Sequence, residues 1–221
     1  NQGLAPEALT AALEQQAWDP SVKSLVNFPQ VLTMMSDKLD WTQKLGDAFL
    51  AQQQDVMNTV QVLRKKAAEA GNLKTTAEQK VIVEQETIVI EAASPQVVYV
   101  PTYNPTVVYG PWPYPAYPPY YYYPPGYTAG AALFSFGVGV AVGAAWGYAW
   151  GGCDWHGGDV DVDVNRNTNI NNNIDRGKYA GQHQGGRGSW QHNPEHRKGV
   201  SYRDQGTAQK FNRASTNDAI R

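Results

Sequence analysis

AGAALFSFGVGVAVGAAWGYAWGG, residues 129–152, is the stretch on which the architecture turns. Gly139, Gly143, Gly147 and Gly151 recur every fourth residue within it, and Ala141, Ala145 and Ala149 form a parallel row of small side chains. Read as a helix, the segment has one face of bare backbone that lets another helix approach closely. Each interior glycine costs such a helix about 1 kcal/mol relative to alanine, so it needs a packing partner. An apolar run of about 20 residues is also long enough to cross a bilayer. Helix and strand both remain open for this segment.

Working outward, the segment lies inside a longer run, Ala92 to Cys153, that contains no Lys, Arg, Asp or Glu. Such a surface is built to be covered, by lipid or by other copies of the chain. Just before it, Pro111 to Tyr127 is so rich in proline and tyrosine that neither helix nor interior strand survives, and an extended polyproline ribbon is expected. Its tyrosines, Tyr120, Tyr121, Tyr122 and Tyr123 among them, have apolar faces and wet hydroxyls suited to a headgroup belt or a protein interface. No Lys or Arg stands within ten positions of either end of residues 129–150, so charge gives no membrane orientation.

After the run, Asp159, Asp161 and Asp163 alternate with Val160, Val162 and Val164, the pattern of a strand with one acidic and one apolar face. Asn165 to Asn173 follows, rich in asparagine. Side chains such as Asn169 and Asn171 gain most by stacking from chain to chain, although a solvated loop is the competing reading. The aspartate row resembles a calcium loop in spacing only, because Val164 stands where the turn needs glycine. Cys153 with His156, and His192 with His196, have metal-like spacings. Pro194 separates the two later histidines and no further ligand stands at a fixed offset, so no metal site is expected. No cofactor is expected either, and no phosphate loop, dinucleotide fingerprint or activated nucleophile is present in the sequence. The chain is read as not an enzyme, with no small-molecule substrate.

The front of the chain is helical in pattern. Pro6 opens a short helix carrying Leu4, Ala8, Leu9, Ala12 and Leu13, which Asp19, Pro20 and Ser21 interrupt. Val22 to Leu39 follows, jointed at Phe28 and Pro29. Asp40 is expected to cap one long helix in which Trp41, Leu45, Ala48, Phe49, Gln52, Val56, Val60, Leu63 and Ala67 form a stripe and Gly71 the stop. From Lys80 the period shortens, and Val81 to Glu84, Thr87 to Glu91 and Val97 to Val100 read as brief strands, with Val107, Val108 and Tyr109 a candidate fourth. The fold class is therefore α+β: a helical module over 1–79, short β-strands over 80–110, and the Tyr/Pro-rich extended linker over 111–128. The Gly/Ala-rich segment over 129–152, an Asp/Asn-rich strand region over 153–175 and an irregular Gly-rich basic tail over 176–221 complete it.

Charge is unevenly placed. Residues up to Pro95 hold 12 acidic and 8 basic side chains, whereas residues 165–221 hold ten Lys/Arg against four Asp/Glu. An acidic front and a basic tail favour head-to-tail contact between copies. The tail composition also suits polyanions, but Tyr179, Trp190, Tyr202 and Phe211 are too widely spaced for a stacking platform, and nucleic acid is an unlikely partner. The single cysteine excludes an internal disulfide.

Several phrases together are recognisable: Trp18-Asp19-Pro20-Ser21-Val22-Lys23-Ser24-Leu25, Leu39-Asp40-Trp41-Thr42-Gln43-Lys44-Leu45-Gly46, Val97-Val98-Tyr99-Val100-Pro101-Thr102-Tyr103, Val108-Tyr109-Gly110, and Trp190-Gln191-His192-Asn193-Pro194-Glu195-His196-Arg197. They resemble the bacterial domain of unknown function family numbered 3300. The resemblance implies an exported or envelope-associated bacterial protein with a long hydrophobic region and no catalytic residues to carry over. The chain begins at Asn1, so an export signal already removed is the expectation, with an extracellular or cell-envelope location.

Two functions follow as expectations. In the first, the chain is a structural subunit whose partner is itself, self-associating, preferably into a fibre, through Gly139, Gly143, Gly147, Gly151, the four consecutive tyrosines and the asparagine strand. In the second, residues 129–150 anchor an envelope protein in a membrane as one spanning helix.

Overall fold

The structure, a computed structural model, describes residues 12–13, 15–18, 20–94, 97–121, 123, 134–136, 139–141, 155, 161–162, 188–189 and 192–218. It is mixed α+β. Four helices come first: α1 (Pro20–Leu25), α2 (Pro29–Asp37), α3 (Leu39–Ala51) and α4 (Gln53–Glu69). A hairpin of β1 (Gln79–Glu84) and β2 (Thr87–Ala92) follows, then β3 (Val97–Val98), β4 (Pro101–Tyr103) and a helical turn α5 (Pro105–Val108). Later come β5 (Phe134–Phe136), β6 (Val140–Ala141), β7 (Asp161–Val162), β8 (Gly188–Ser189), a 3-10 helix (Pro194–Arg197) and α6 (Gln205–Asp218).

The joint at Phe28 and Pro29 is found where expected, with Pro29 opening α2 and Phe28 buried at 4% exposure. The single long helix is not. Its stripe is divided at Gln52, whose φ of −147° and ψ of 55° leave the helical region. Asp40 does not cap; it lies in the first turn of α3, and its carboxylate is engaged by Lys44 and Arg203 instead. Gly71 is the expected stop. At φ +72°, it allows the Asn72 N–H to reach the Ala67 carbonyl at 2.8 Å and its own N–H to reach that of Ala68 at 2.9 Å. This pairing of bonds is the Schellman arrangement, and it turns Leu73 back toward Ala67.

The core is built on that turn. Ala67, Leu73, Ile88 and Val108 are buried together, with Val81, Ile90, Tyr103 and Tyr109 packed around them. The C-terminal end of α4 thus meets the hairpin. Val108 belongs to α5, not to a fourth strand, because Pro105 presets the helical φ and the Asn104 side chain accepts the Thr106 N–H at 3.0 Å. The Tyr103 and Tyr109 hydroxyls share a 2.5 Å hydrogen bond, and burial first, then the neighbouring Tyr103, raises the Tyr109 pKa.

A two-stranded hairpin is marginal alone. Here its edges are occupied by side chains. Gln61 of α4 accepts the Ile88 N–H at 2.9 Å and donates to the Ile88 carbonyl at 3.3 Å, and Arg64 donates to the same carbonyl at 2.7 Å. On the opposite edge the Thr75 hydroxyl accepts the Val81 N–H at 3.0 Å and that of Thr76 accepts the Gln79 N–H at 3.3 Å.

The described part of the glycine-rich segment is extended. β6 pairs antiparallel with β3 and β5 with β4, so Val97 faces Ala141 and Thr102 faces Ser135. Gly139 stands immediately before β6. A Cβ on it would come within 2.6 Å of the Val97 side chain and 2.7 Å of the Tyr99 ring. Within 111–121 the ribbon is not uniformly extended: the Tyr117 N–H bonds to the Tyr114 carbonyl at 2.9 Å, and the Trp112 indole closes the turn on the Tyr117 carbonyl at 2.8 Å. The tail also departs from its reading, since α6 occupies 205–218.

Gly139→Ala should force the Val97 and Tyr99 side chains apart and destabilise the protein by about 1–3 kcal/mol. Gly46→Ala, with nothing within 4 Å of its added Cβ, is the helical control that should lose no stability. Urea unfolding of the two variants checks this.

Candidate functional site

Three late parts of the chain return to the helical module, and the strongest contact is electrostatic. Asp47 of α3 is 6% exposed. Its Oδ1 accepts from the Arg197 guanidinium at 3.0 Å, and the Arg203 Nε lies 3.9 Å from its Oδ2. Arg203 also donates to Asp40 Oδ1 at 2.5 Å, while Lys44 reaches Asp40 Oδ2 at 2.7 Å. The inner pair is nearly dry, with side-chain exposures of 15% for Arg197 and 7% for Asp47. The outer pair is mostly wet and contributes little. Breaking the inner pair would strand a buried charge, which makes Arg197 the principal tie.

Local chemistry places Arg197 for this. Asn193 caps the 3-10 helix by accepting the Glu195 N–H at 2.9 Å, with Pro194 at its first position. The chain leaves through Lys198 at φ 49° and Gly199 at φ +88°, a reversal that returns the Val200 and Ser201 carbonyls to the Arg197 guanidinium at 2.9 Å and 2.8 Å. Arg197 also stacks 4.2 Å from the Tyr202 ring centroid. Asp204 then caps α6 on the Thr207 N–H at 2.6 Å, and this bond with that of the Thr207 hydroxyl holds the carboxyl below its ordinary pKa. Asp40 is likewise held low by Lys44, then Arg203.

His192, Tyr202 and Phe211 form the arm's own small aromatic core. The His192 and Phe211 rings lie 4.5 Å apart edge to face, and His192 Nε2 meets the Tyr202 hydroxyl at 2.8 Å. Burial, then Arg197 and His196, lowers the His192 pKa. Among the described residues no group of three His, Cys, Asp or Glu side chains could hold a metal. No cofactor cradle was expected.

The other two returns are aromatic. Tyr120 lies 5.7 Å from the Trp41 ring on α3, with Lys38 5.6 Å from its centroid. Trp155 lies under Arg64, 4.0 Å from guanidinium carbon to ring centroid. Of the residues singled out for self-association, Gly139 lies against the Val97 and Tyr99 side chains, Tyr120 lies on Trp41, and Tyr121 and Tyr123 face each other at 6.0 Å. Tyr122, Gly143, Gly147, Gly151, Asn169 and Asn171 lie outside the described residues. Asp47, Arg197 and Arg203 were not singled out, though the opposite charge of the two ends was the signal that led to them. That complementarity is met within one chain.

These contacts define a class: an α+β chain whose uncharged middle and basic arm fold back on an N-terminal helical module. The family described as Protein of unknown function (DUF3300) matches residues 1–192. The chain belongs to that family. It is similar to the uncharacterized protein YacH of Escherichia coli (strain K12), at 37% identity over 275 aligned residues that take in 97% of this chain and 44% of that protein. The chain thus spans under half the length of that relative. No solved structure matches it. Arg197 and Arg203 lie beyond the residues matched by the family, within the span shared with the relative.

Arg197→Ala should destabilise arm docking by about 3 kcal/mol by leaving Asp47 buried and unpaired. Hydrogen exchange should show lost protection in α6 while β1 and β2 stay protected.

Because the docked arm holds His192 with a lowered pKa, its contribution is present above the ordinary histidine value of about 6.5 and is lost as pH falls below it. The protection of the α6 amides, taken relative to their intrinsic exchange rates, should fall as pH drops from about 7 to about 5. His192→Phe should remove that step; a step unchanged in the variant would assign it to another group.

Proposed function

We propose that the chain is a non-enzymatic structural subunit of a bacterial envelope or extracellular assembly, exported, and self-associating into a fibre through its uncharged segments. The observation that supports this is the apolar surface left uncovered. Tyr117 is 79% exposed and Leu39 66%, and Trp41, Leu45, Tyr114, Tyr121 and Tyr123 are exposed as well. Large rings and aliphatics gathered on one helix and the ribbon beside it mark a surface that another macromolecule covers. A second copy is the simplest cover, because Tyr120 already lies on Trp41 within one chain.

Extended chain at 134–136 and 140–141 favours a stack of strands over an anchoring helix across 129–150. Among the described residues no helix is long and apolar enough to cross a membrane. Nucleic acid has no part in this reading, since Arg197 and Arg203 of the basic tail are engaged by aspartates.

Sedimentation and negative-stain imaging over a range of concentrations should show species larger than one chain that grow with concentration. Strictly monomeric particles throughout would sink the proposal. Gly143→Leu and Gly147→Leu should each abolish growth while the helical module keeps its circular dichroism; undisturbed growth in both would exclude the glycine row as the contact.

A further inference from the structure

With 13 tyrosines and one cysteine, the chain cannot close an internal disulfide, and its phenols are the side chains most able to form a covalent joint in its place. Four of them, Tyr120 to Tyr123, stand between Pro118-Pro119 and Pro124-Pro125. Proline rings fix φ at about −65° and limit how far such a tetrad wanders. Positions two apart in extended chain project to the same side. Tyr121 and Tyr123 do so: their ring centroids lie 6.0 Å apart with planes tilted by 35°, and both rings reach solvent, at 37% and 39% exposure. Tyr120, one position out of phase, lies on Trp41 instead. We propose that Tyr121 and Tyr123 are an oxidative modification site at which the two rings couple into a dityrosine within one chain, the oxidant being hydrogen peroxide used by a haem peroxidase. The link forms inside one copy and does not depend on self-association.

The chemistry balances on the two rings and the peroxide. Each phenol gives one electron to the peroxidase and its hydroxyl proton to water, which leaves a radical shared between the oxygen and the ring carbons beside it. One such carbon, a Cε, of each ring joins that of the other in a new Cε–Cε bond. Each joined carbon then loses its hydrogen as a proton while the oxygen takes one up, and both phenols are restored. Two Cε–H bonds are broken and one carbon–carbon bond is made. The two electrons and two protons released reduce one hydrogen peroxide to two molecules of water.

Neighbouring aromatic pairs each lack a requirement. Tyr103 and Tyr109 are as close, at 5.7 Å, but their planes stand at 89°, their hydroxyls are bound to each other, and both pack against the buried core, away from a peroxidase. Tyr114 has the Trp112 indole, not a phenol, beside it at 6.0 Å and 76°. Tyr117, at 79% exposure, is the ring best placed to meet another copy. Two phenols on so short a tether face each other at an effective concentration of about a millimolar or more, so at micromolar protein coupling inside the chain outruns coupling between copies.

The full chain at micromolar concentration is treated with a haem peroxidase and hydrogen peroxide, and the product is read by dityrosine fluorescence, intact mass and fragmentation. A monomer lighter by two hydrogen atoms is expected, linked between Tyr121 and Tyr123, in a yield per chain that does not change with protein concentration. Tyr121→Phe and Tyr123→Phe keep the ring but not the phenolic hydrogen, and each should lower the dityrosine carried by the monomer about tenfold or more. Tyr114→Phe and Tyr117→Phe should leave it unchanged. Absence of dityrosine from the treated wild type, or an undiminished yield in the monomers of Tyr121→Phe and Tyr123→Phe, would overturn the assignment. So would dityrosine confined to covalent dimers whose yield rises with protein concentration, a result that would leave the self-association reading standing.

Discussion

Ile88 is the residue on which the described fold rests. Its side chain is buried with Ala67, Leu73 and Val108, and its backbone N–H and carbonyl are both taken by side chains of α4. Apolar burial and hydrogen bonding therefore act at one point, from one helix. Either alone would be weak, since a two-stranded hairpin lacks a stable face and an isolated helix of this length is marginal in water. Joined, they make a platform to which α5 adds Val108 and the Asn72 side chain adds bonds to the Val107 and Val108 carbonyls.

Among the described residues, three later parts of the chain come back to that platform or to the helices beside it, by a different kind of force each time. Tyr120 returns by ring contact, Trp155 by a cation over its face, and the arm by a dry ion pair. The first two are adaptable and of modest strength. The third depends on geometry, because a buried carboxylate tolerates little misplacement of its cation. The arm is thus the return with the sharpest definition.

How much of this was legible in the sequence depended on range. Local signals were reliable: Pro29 opened a helix, Gly71 ended one, and β-branched runs at 81–84 and 87–91 became the hairpin. Where a signal needed a distant partner, reading failed. The stripe from Trp41 to Ala67 is continuous in sequence, and no local residue announces its division at Gln52. Asp40 looked like a cap because its true partner, Arg203, stands 163 positions away. Val107 and Val108 had strand propensity that Asn104 and Pro105 overrode. The tail was read as irregular because Gly206 and its polar neighbours mask a helix that Asp204 starts. Of the candidate site, the opposed charges were visible and their address was not.

The side chains along the hairpin edges have a consequence for how such a chain survives its own composition. Threonine hydroxyls stand at Gln79 and Val81 on one edge, and a glutamine amide and a guanidinium stand at Ile88 on the other. Exposed strand edges recruit other strands indiscriminately. This hairpin is insulated at those points, even though the same chain carries a long uncharged stretch able to pair with any open edge. The insulation keeps a hairpin that must fold once and stay closed from being invaded by that stretch, and it lets both occupy one molecule without misfolding into each other.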